Sequence, residues 1–229
     1  MSSMNCILSS EHGGDCLLRE AIISIPDSCE RYGVLLKSDT RGRVYRLETP
    51  TAQLAIKYFP PIWKPMQRMV RRVLKGRYAA TIWRRSYAIF TAGIPVAEPI
   101  GYLRAAGPWR ESYLISKWIE GIPSSEVLVD VTLSHEKRLA MAYSLAQLIT
   151  AMHSARFSHG DLKPRNVLYG EDGFVLIDLD AVRHHRFSRM LRKRAKRDWH
   201  NIIHGLELAG VHPEIIEPLN NASLTEVYL

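Results

Sequence analysis

The chain has 229 residues, of which 46% are apolar and 24% are charged, a composition that indicates a globular protein and excludes a disordered one. Its 31 Lys and Arg exceed its 23 Asp and Glu, giving a formal net charge of +8. We therefore expect an anionic partner: a nucleotide, a nucleic acid, a membrane surface or a phosphorylated glycolipid.

No run of residues approaches the roughly 20 apolar residues of a membrane span, and the first residues lack the basic start of a signal peptide. The three cysteines, Cys6, Cys16 and Cys29, are odd in number and show no C-x-x-C spacing, which argues against a disulfide framework or a cysteine metal site. We expect a protein of the reducing cytoplasm, with attachment to a membrane surface left open.

The first third of the chain predicts an antiparallel sheet. Residues 16–23 are expected to form a short helix or strand that ends at Pro26 and Asp27. Three apolar runs follow at residues 33–36, 44–47 and 53–59, separated by short turn-rich pieces. Short connections between such runs predict an antiparallel meander.

Two amphipathic helices are predicted next, over residues 66–74 and 79–90. Between Tyr58 and Ala97 the chain has no Asp or Glu but has eight Lys and Arg. A helix face of one sign indicates contact with phosphate groups, such as those of an anionic membrane, although a solvated face is the alternative. Residues 98–103 and 111–120 then predict two further strands.

The segment beyond residue 116 is predicted to be mostly helical. Ser134 is expected to be the N-cap of a long helix whose apolar face runs from Leu139 to Met152. We expect His153, at the end of this helix, to be structural.

Residues 159–166, HGDLKPRN, place Asp161, Lys163 and Asn166 on one short loop. Further along, the β run VLIDLD of residues 175–180 delivers Asp178 at its end. This is the spacing of the kinase catalytic loop, in which an Asp accepts the proton of the attacking hydroxyl and an Asn and a second Asp hold magnesium. The sequence therefore predicts a phosphotransferase.

The HGD and IDLD motifs resemble those of the protein-kinase-like superfamily, and most closely its bacterial lipopolysaccharide kinase (Kdo/heptose kinase) branch, to which residues 91–99 are also similar. The resemblance covers residues 33–206. It implies an α+β, bilobal fold in a single domain, with a small antiparallel-sheet N-lobe and N-terminal extension over residues 1–115. A mostly helical, shortened C-lobe would occupy residues 116–229.

The same resemblance implies an enzyme that uses ATP and Mg²⁺ to phosphorylate a sugar hydroxyl, of heptose or Kdo, in the lipopolysaccharide inner core. Its expected place is the cytoplasmic face of the inner membrane, as a peripheral protein with a lipopolysaccharide or lipid-linked sugar acceptor. We do not expect nucleic acid as a partner.

The resemblance also implies a role for each motif residue. Asp161 would be the catalytic base, and Lys163 would neutralise the transferred phosphoryl group. Asn166 and Asp178 would hold magnesium. Three further roles concern the nucleotide. Lys57 of the LAIK run would bind the α/β-phosphates, Gly42 would lie in the phosphate-covering turn, and backbone groups of Ser116, Lys117 and Trp118 would bind the adenine. His159 would support the loop structurally. For Gly42 an ordinary hairpin turn fits as well, and Asp180 could touch metal or acceptor or cap the next turn.

Two departures from the protein-kinase pattern stand out. The glutamate that pairs with the phosphate-binding lysine is missing, and Ile82 aligns with its position; either Lys57 pairs elsewhere, the helix sits differently, or activity is impaired. After Asp180 there is no APE motif but a basic helical stretch, from which Asp198 could tether the catalytic loop. We therefore do not expect switching by phosphorylation.

Three other functions remain open on the sequence. One is a kinase of proteins or of another small molecule on the same fold. Another is a nucleotide-binding pseudokinase scaffold, which the missing glutamate favours and the intact Asp161, Asn166 and Asp178 oppose. A nucleic-acid-binding protein is supported only by the basic runs.

Overall fold

The computed structural model describes residues 4–8, 22–39, 42–50, 52–61, 78–105 and 111–227. They divide into two compact units, which we call the first unit (Met1–Tyr87 and Glu98–Trp118) and the second unit (Ala88–Ala97 and Ile119–Leu229). The predicted helix over residues 66–74, with most of the cationic stretch around it, lies outside the described residues, as does Cys16. The prediction of a single catalytic domain with a boundary near residue 116 stays a prediction.

The first unit contains an antiparallel sheet flanked by helices. In chain order its elements are β1 (Met4–Leu8), α1 (Ile25–Tyr32), β2 (Val34–Asp39), β3 (Gly42–Glu48), β4 (Gln53–Phe59), the start of α2 (Tyr78–Thr91), β5 (Pro99–Ala105) and β6 (Ser112–Lys117). Among the described residues the strand order is β1-β5-β6-β4-β3-β2, with every neighbouring pair antiparallel. The predicted meander is therefore confirmed, and so are the two later strands.

Side chains of β4 point alternately to the two faces of the sheet, and each face contacts a different helix. Leu54 and Ile56 are fully buried and pack with Ile25 of α1, and burying each stabilises the fold by about 1.5–3 kcal/mol. Since successive side chains of a strand point to opposite faces, Lys57 and Phe59 lie on the other face. Phe59 packs there with Ile82 of α2, so the helix predicted over residues 79–90 is confirmed and covers the Lys57 face.

Helix α1 corrects one prediction. The helical residues Ile22 and Ile23 are followed by a turn at Ser24, so the break comes before Pro26, and Pro26 and Asp27 stand in the first turn of α1. The N–H groups of a first turn have no partner within the helix, so proline costs nothing there, and a carboxylate is favoured by the positive end of the helix dipole. Residues 9–21, where the earlier part of this prediction falls, lie outside the described residues.

The second unit is mostly helical. After the end of α2 its elements are β7 (Ile122–Pro123), α3 (Ser124–Val129), α4 (His135–Ser154), β8 (Phe157–Ser158), a 3-10 turn (Pro164–Asn166), β9 (Val167–Gly170), β10 (Gly173–Leu176), a second 3-10 turn (Leu179–Ala181), β11 (Arg183–His184), α5 (Ser188–Leu208) and α6 (Pro213–Val227). Antiparallel strands and separate helices make the chain α+β, as predicted.

Helix α4 is the centre of the second unit's core. Its N-cap is Ser134, as predicted, because Ser134 Oγ accepts a hydrogen bond from Lys137 N at 3.2 Å, an interaction that contributes about 1 kcal/mol. Leu145, Ile149 and Met152 are fully buried in one apolar cluster with residues of α5 and α6. The end of α4 is thus held in the core by Met152, and the chain continues from it into β8 and the loop that follows.

The described part of the chain contains no helix that is both long and apolar enough to cross a membrane.

Candidate active site

The loop of residues 159–166 follows β8 in the second unit and carries an acid and a lysine in contact. Lys163 Nζ lies 2.7 Å from Asp161 Oδ1, and the two side chains are 40% and 45% exposed. An ion pair this exposed contributes about 1 kcal/mol or less to stability. The pair thus has little effect on folding, and an exposed carboxylate beside an ammonium is a combination that phosphoryl transfer can use.

A buried carboxylate of α5 holds the start of this loop. Asp198 is fully buried, and its two carboxylate oxygens accept hydrogen bonds from His159 N and Gly160 N, each at 2.8 Å. His153 Nε2 lies 3.4 Å from Asp198 Oδ2. Hydrogen bonds to a charged acceptor are the strong ones in proteins, so the expected tether by Asp198 is confirmed, as is a structural His153.

His159 connects the loop to the end of β10. Its side chain is fully buried, and its Nε2 lies 3.0 Å from Ile177 O. Ile177 N in turn donates to Asn166 O at 2.9 Å. These two bonds bring the loop's two ends to the residue that directly precedes Asp178, which confirms the supporting role expected of His159.

Gly160 is required by the backbone at this point. Its φ is +82°, and a Cβ there would lie 2.8 Å from Ala181 O. A positive φ strains any residue with a Cβ, so the middle residue of the HGD motif is explained by conformation and by close packing against the second 3-10 turn.

The two expected magnesium ligands differ in burial and conformation. Asn166 is buried, and its Nδ2 donates to Asp161 O at 2.9 Å, which directs the amide oxygen away from that carbonyl. Asp178 is exposed and stands in the left-handed region, at φ 56° and ψ 56°. Non-glycine residues in that region are uncommon and cluster at functional sites. Asp180 is half-buried in the following 3-10 turn.

The described residues contain no group of three or more His, Cys, Asp or Glu placed to hold a metal ion. Amide and carboxylate oxygens, such as those of Asn166 and Asp178, are the hard ligands that Mg²⁺ takes, and Mg²⁺ is commonly held by one or two carboxylates together with phosphates and water. The donor set therefore fits magnesium.

Pro164, within the loop, is held by contacts with two residues from other parts of the second unit. Ser124 Oγ donates to Pro164 O at 3.0 Å, and Gly205 of α5 lies so close that a Cβ would be 2.5 Å from Pro164 Cδ. Sequence reasoning missed both residues. Gly205 carried a signal, because glycine inside a helix costs about 1 kcal/mol relative to alanine and needs a packing reason; Ser124 carried none.

The expected nucleotide residues lie in the first unit. Lys57 of β4 is opposite Val44 of β3 and Leu114 of β6, and its Nζ is 5.9 Å from the centre of the Phe59 ring. Gly42 N donates to Asp39 Oδ1 at 3.2 Å, closing the turn between β2 and β3.

Two of the three residues expected at the adenine already use their backbone N–H groups within the first unit. Lys117 N donates to Glu98 O and Trp118 N donates to Gln53 O, both at 2.9 Å, while Ser116 is paired with Ala55 in the sheet. Adenine recognition in this segment would therefore depend on groups other than those two amides.

Comparison with known proteins adds the family. The model of the lipopolysaccharide kinase (Kdo/WaaP) family matches residues 62–209, which is well over half of the chain. The chain belongs to the lipopolysaccharide kinase (Kdo/WaaP) family. This confirms the resemblance drawn from the HGD and IDLD motifs.

Two further similarities accompany the family match. A fowlpox virus (strain NVSL) protein named probable serine/threonine-protein kinase FPV212 is 28% identical over 104 residues, which are 44% of this chain and 33% of that protein. The match thus spans about a third of that relative's length. The crystal structure of the M. tuberculosis PknI kinase domain is similar with a TM-score of 0.47 and 16% sequence identity, over 76% of this chain and 68% of that chain.

The lipopolysaccharide kinase match covers only some of the expected site residues. It contains Asp161, Lys163, Asn166 and Asp178 but begins after Gly42 and Lys57. Helix α2 contains no Asp or Glu. Ile82, which we aligned from the sequence with the glutamate of protein kinases, is buried among apolar side chains.

Proposed function

We propose that this member of the lipopolysaccharide kinase family is an ATP- and Mg²⁺-dependent kinase of a heptose or Kdo hydroxyl in the lipopolysaccharide inner core. The observation that carries the proposal is the Asp161–Lys163 pair, exposed at 2.7 Å on a loop anchored by Asp198. Family membership supports the sugar acceptor, and the anchored loop supports the chemistry.

Asp161 is the catalytic base in this proposal. Its exposed carboxylate accepts the hydrogen bond of the acceptor hydroxyl, which orients the hydroxyl oxygen toward the γ-phosphorus of ATP. It takes the proton as the new O–P bond forms and the bond to ADP breaks. The Lys163 ammonium, 2.7 Å away, neutralises charge on the transferred phosphoryl group. Positioning and charge supply most of the rate in such reactions.

Asn166 and Asp178 would hold magnesium. The bound ion would neutralise the phosphate oxygens during transfer. The chain's contribution is to fix both ligands: Asn166 Nδ2 is held by Asp161 O, and Asp178 follows Ile177, which is bonded to Asn166 O and approached by His159. One set of backbone contacts therefore positions the base and both ligands.

ATP would be bound by the first-unit residues identified in the sequence. Lys57 would pair with the α/β-phosphates, Gly42 would lie in the turn over them, and the adenine would meet the segment of Ser116, Lys117 and Trp118. We place the enzyme in the cytoplasm, where ATP is available, at the inner membrane that holds its acceptor. The membrane surface itself is a proposed partner.

The test is phosphate transfer from ATP to dephosphorylated core lipopolysaccharide by wild type and Asp161→Asn. General base catalysis contributes about 10²–10⁴-fold, and we expect a rate loss of that size in Asp161→Asn. The matched control is Asp172→Asn, which makes the same change in the exposed turn between β9 and β10 and should keep wild-type activity. Equal activity in Asp161→Asn and Asp172→Asn would overturn the role of Asp161.

The same assay separates the alternatives. Radiolabel on protein and not on glycolipid would favour a protein kinase, the activity that the name of the fowlpox virus relative suggests. A thermal shift with ATP that needs no magnesium, together with no transfer to any acceptor, would indicate a pseudokinase.

A further inference from the structure

Residues 183–197 of the second unit form a segment of one charge sign, which we call the cationic segment. It contains eight Lys and Arg and no Asp or Glu: Arg183, Arg186, Arg189, Arg192, Lys193, Arg194, Lys196 and Arg197. Outside these eight, the chain's Lys and Arg equal its Asp and Glu in number. The formal net charge of +8 is therefore that of this segment.

The next residue, Asp198, does not offset that charge at the surface. It is fully buried and accepts the backbone N–H groups of His159 and Gly160. Seven of the eight cations are exposed, and Arg194 is half-buried. Solvated helix faces ordinarily mix both signs, so this one requires another explanation.

The geometry of α5 puts much of this charge on one face. Ala195, Trp199 and Ile202 are buried and define the inner face of the helix. Residues 189, 193 and 197 recur every four positions on the side of the helix away from these three, residue 196 flanks them, and all four are exposed. A continuous cationic stripe thus runs along the outer face of the first three turns.

Two large apolar side chains stand among these cations. Phe187 is 65% exposed and Met190 is 57% exposed, at the residue before α5 and in its first turn. Apolar side chains flanked by Lys and Arg are the arrangement of interfacial helices, whose cations meet anionic headgroups while the apolar groups enter the boundary below them.

We propose that the cationic segment is the binding surface for an anionic lipid bilayer, with Phe187 and Met190 entering the headgroup region. Nucleic acid would also satisfy the cations. The lipid is favoured because Met190, the second exposed apolar side chain, suits an apolar boundary but offers no ring on which a base could stack. The proposal rests on the proposed function for its purpose, since a membrane-held acceptor gives such a surface its use.

The segment is joined to the catalytic loop by backbone contacts. In the short β8–β11 pair, Arg183 is opposite Ser158, the residue before His159. Arg156 Nε donates to His185 O at 2.8 Å, and its guanidinium also donates to Arg186 O at 2.7 Å. A bilayer that binds this segment is therefore connected, through these contacts, to the residues that lead directly into the loop of Asp161.

The experiment is co-sedimentation of the full chain with phosphatidylcholine vesicles and with vesicles of equal parts phosphatidylcholine and phosphatidylglycerol. We expect binding to the anionic vesicles alone, weakened by salt. Each surface cation contributes about fivefold to such binding, so Lys193→Glu should lose at least about that factor. Lys137→Glu, the same change on an exposed position of α4, should keep binding within about twofold, because it changes the net charge equally but lies outside the segment.

A second variant tests the apolar part. Phe187→Ser with Met190→Ser leaves every charge in place and should still weaken binding severalfold. Equal losses in Lys193→Glu and Lys137→Glu, no loss in the double serine variant, or tighter binding to single-stranded RNA than to anionic vesicles would each overturn the proposal.

Failure of the membrane-binding proposal can be distinguished from failure of the kinase proposal. Asp161→Asn should bind vesicles like wild type whether or not it transfers phosphate. Lys193→Glu should keep transfer to a deacylated, soluble core oligosaccharide, while losing transfer to acceptor in anionic vesicles. Loss with both acceptors would show that position 193 acts on the catalytic unit and not on membrane binding.

Discussion

Gly160 is the residue whose identity is best explained by the backbone. Gly160→Ala places a Cβ at φ +82° and 2.8 Å from Ala181 O, and we expect a loss of more than about 1 kcal/mol in unfolding free energy. Gly210→Ala is the control: its φ is +80°, but nothing lies within 4 Å of a Cβ there. Urea denaturation of both variants isolates the packing contribution of Ala181. Equal losses would mean that conformation alone dictates glycine in the HGD motif.

At the residue scale, the sequence predicted side chains whose role follows from motif spacing. Asp161, Lys163 and Asn166 are brought together because they lie on one loop, and Asp198 was found because an acid of a later helix performs this task in related folds. Ser124, Gly205 and Arg156 were missed. Each acts on a residue far along the chain, and such contacts depend on the folded arrangement of helices, which local patterns do not specify.

Helix α5 anchors the catalytic loop through one carboxylate, and removing its charge should loosen the loop. Asp198→Asn keeps the shape but leaves one of the two backbone N–H groups facing an amide NH₂, so we expect a loss of about 2–4 kcal/mol in unfolding free energy. Phosphate transfer should fall as well, since Asp161 would be less fixed.

The control for this variant is Asp130→Asn. Asp130 also accepts two hydrogen bonds, from the N–H and hydroxyl of Thr132 at 2.9 and 2.7 Å, but at the surface. Urea midpoints should therefore fall much less than in Asp198→Asn. Similar losses in the two variants would show that burial of Asp198 is not what makes the anchor strong.

The β8–β11 pair should respond to acid through His185. Burial, and then the charges of Arg194, Arg183 and His184, lower the pKa of His185 below its ordinary 6.5, and its Nε2 lies 2.7 Å from Ser158 Oγ. A lowered pKa means that the unfolded chain binds more protons as the pH falls below 6.5. The stability of the fold should therefore decrease from that pH downward.

The measurement is the urea midpoint at about pH 7.5 and about pH 5.5, a range that spans the titration of histidine. Wild type should lose more stability between the two than His185→Gln, whose amide can occupy the same position without titrating. An identical loss in both proteins would assign the acid sensitivity to other groups.

Elements were predicted best where a single period dominates the sequence. The runs of β3, β4 and β6 alternate or are fully apolar, and α4 combines an N-cap with a long apolar face, so both kinds were identified. Helix α1 was misjudged because Pro26 was interpreted as a terminator. Proline fits the first turn of a helix as well as the residues after its end. What favours a helix after Pro26 is the packing of Ile25 and Cys29 against the sheet, and the sequence around Pro26 does not show that contact.

At the scale of the whole molecule, Cys29 offers a probe of the first unit. Burial, with the charge of Glu30 adding to it, raises the pKa of Cys29 to about 12, so the reactive thiolate is scarce at neutral pH. In a Cys6→Ser, Cys16→Ser background we expect reaction with a disulfide reagent to be about a thousandfold slower in the native protein than in urea. A native rate within about tenfold of the unfolded rate would show that α1 opens readily.

The α+β class and the family followed from the sequence because the catalytic motif is local and specific. The division into two units did not follow from it. Residues 88–97 belong to the second unit, since Ile89, Ile94 and Val96 lie in its core. Their apolar pattern continues that of the preceding helix, and the sequence alone contains nothing that separates them.

The left-handed backbone of Asp178 restricts which residues this position can accept. Among side chains with a hard oxygen, Asp and Asn are the ones that adopt φ near +56° at low cost, whereas Glu would be strained. Folding would tolerate Gly, Asn and Asp at position 178. Of these three, Asp alone has the full negative charge that the magnesium ligand of our proposal would need. The backbone conformation and the proposed chemistry thus favour the same residue.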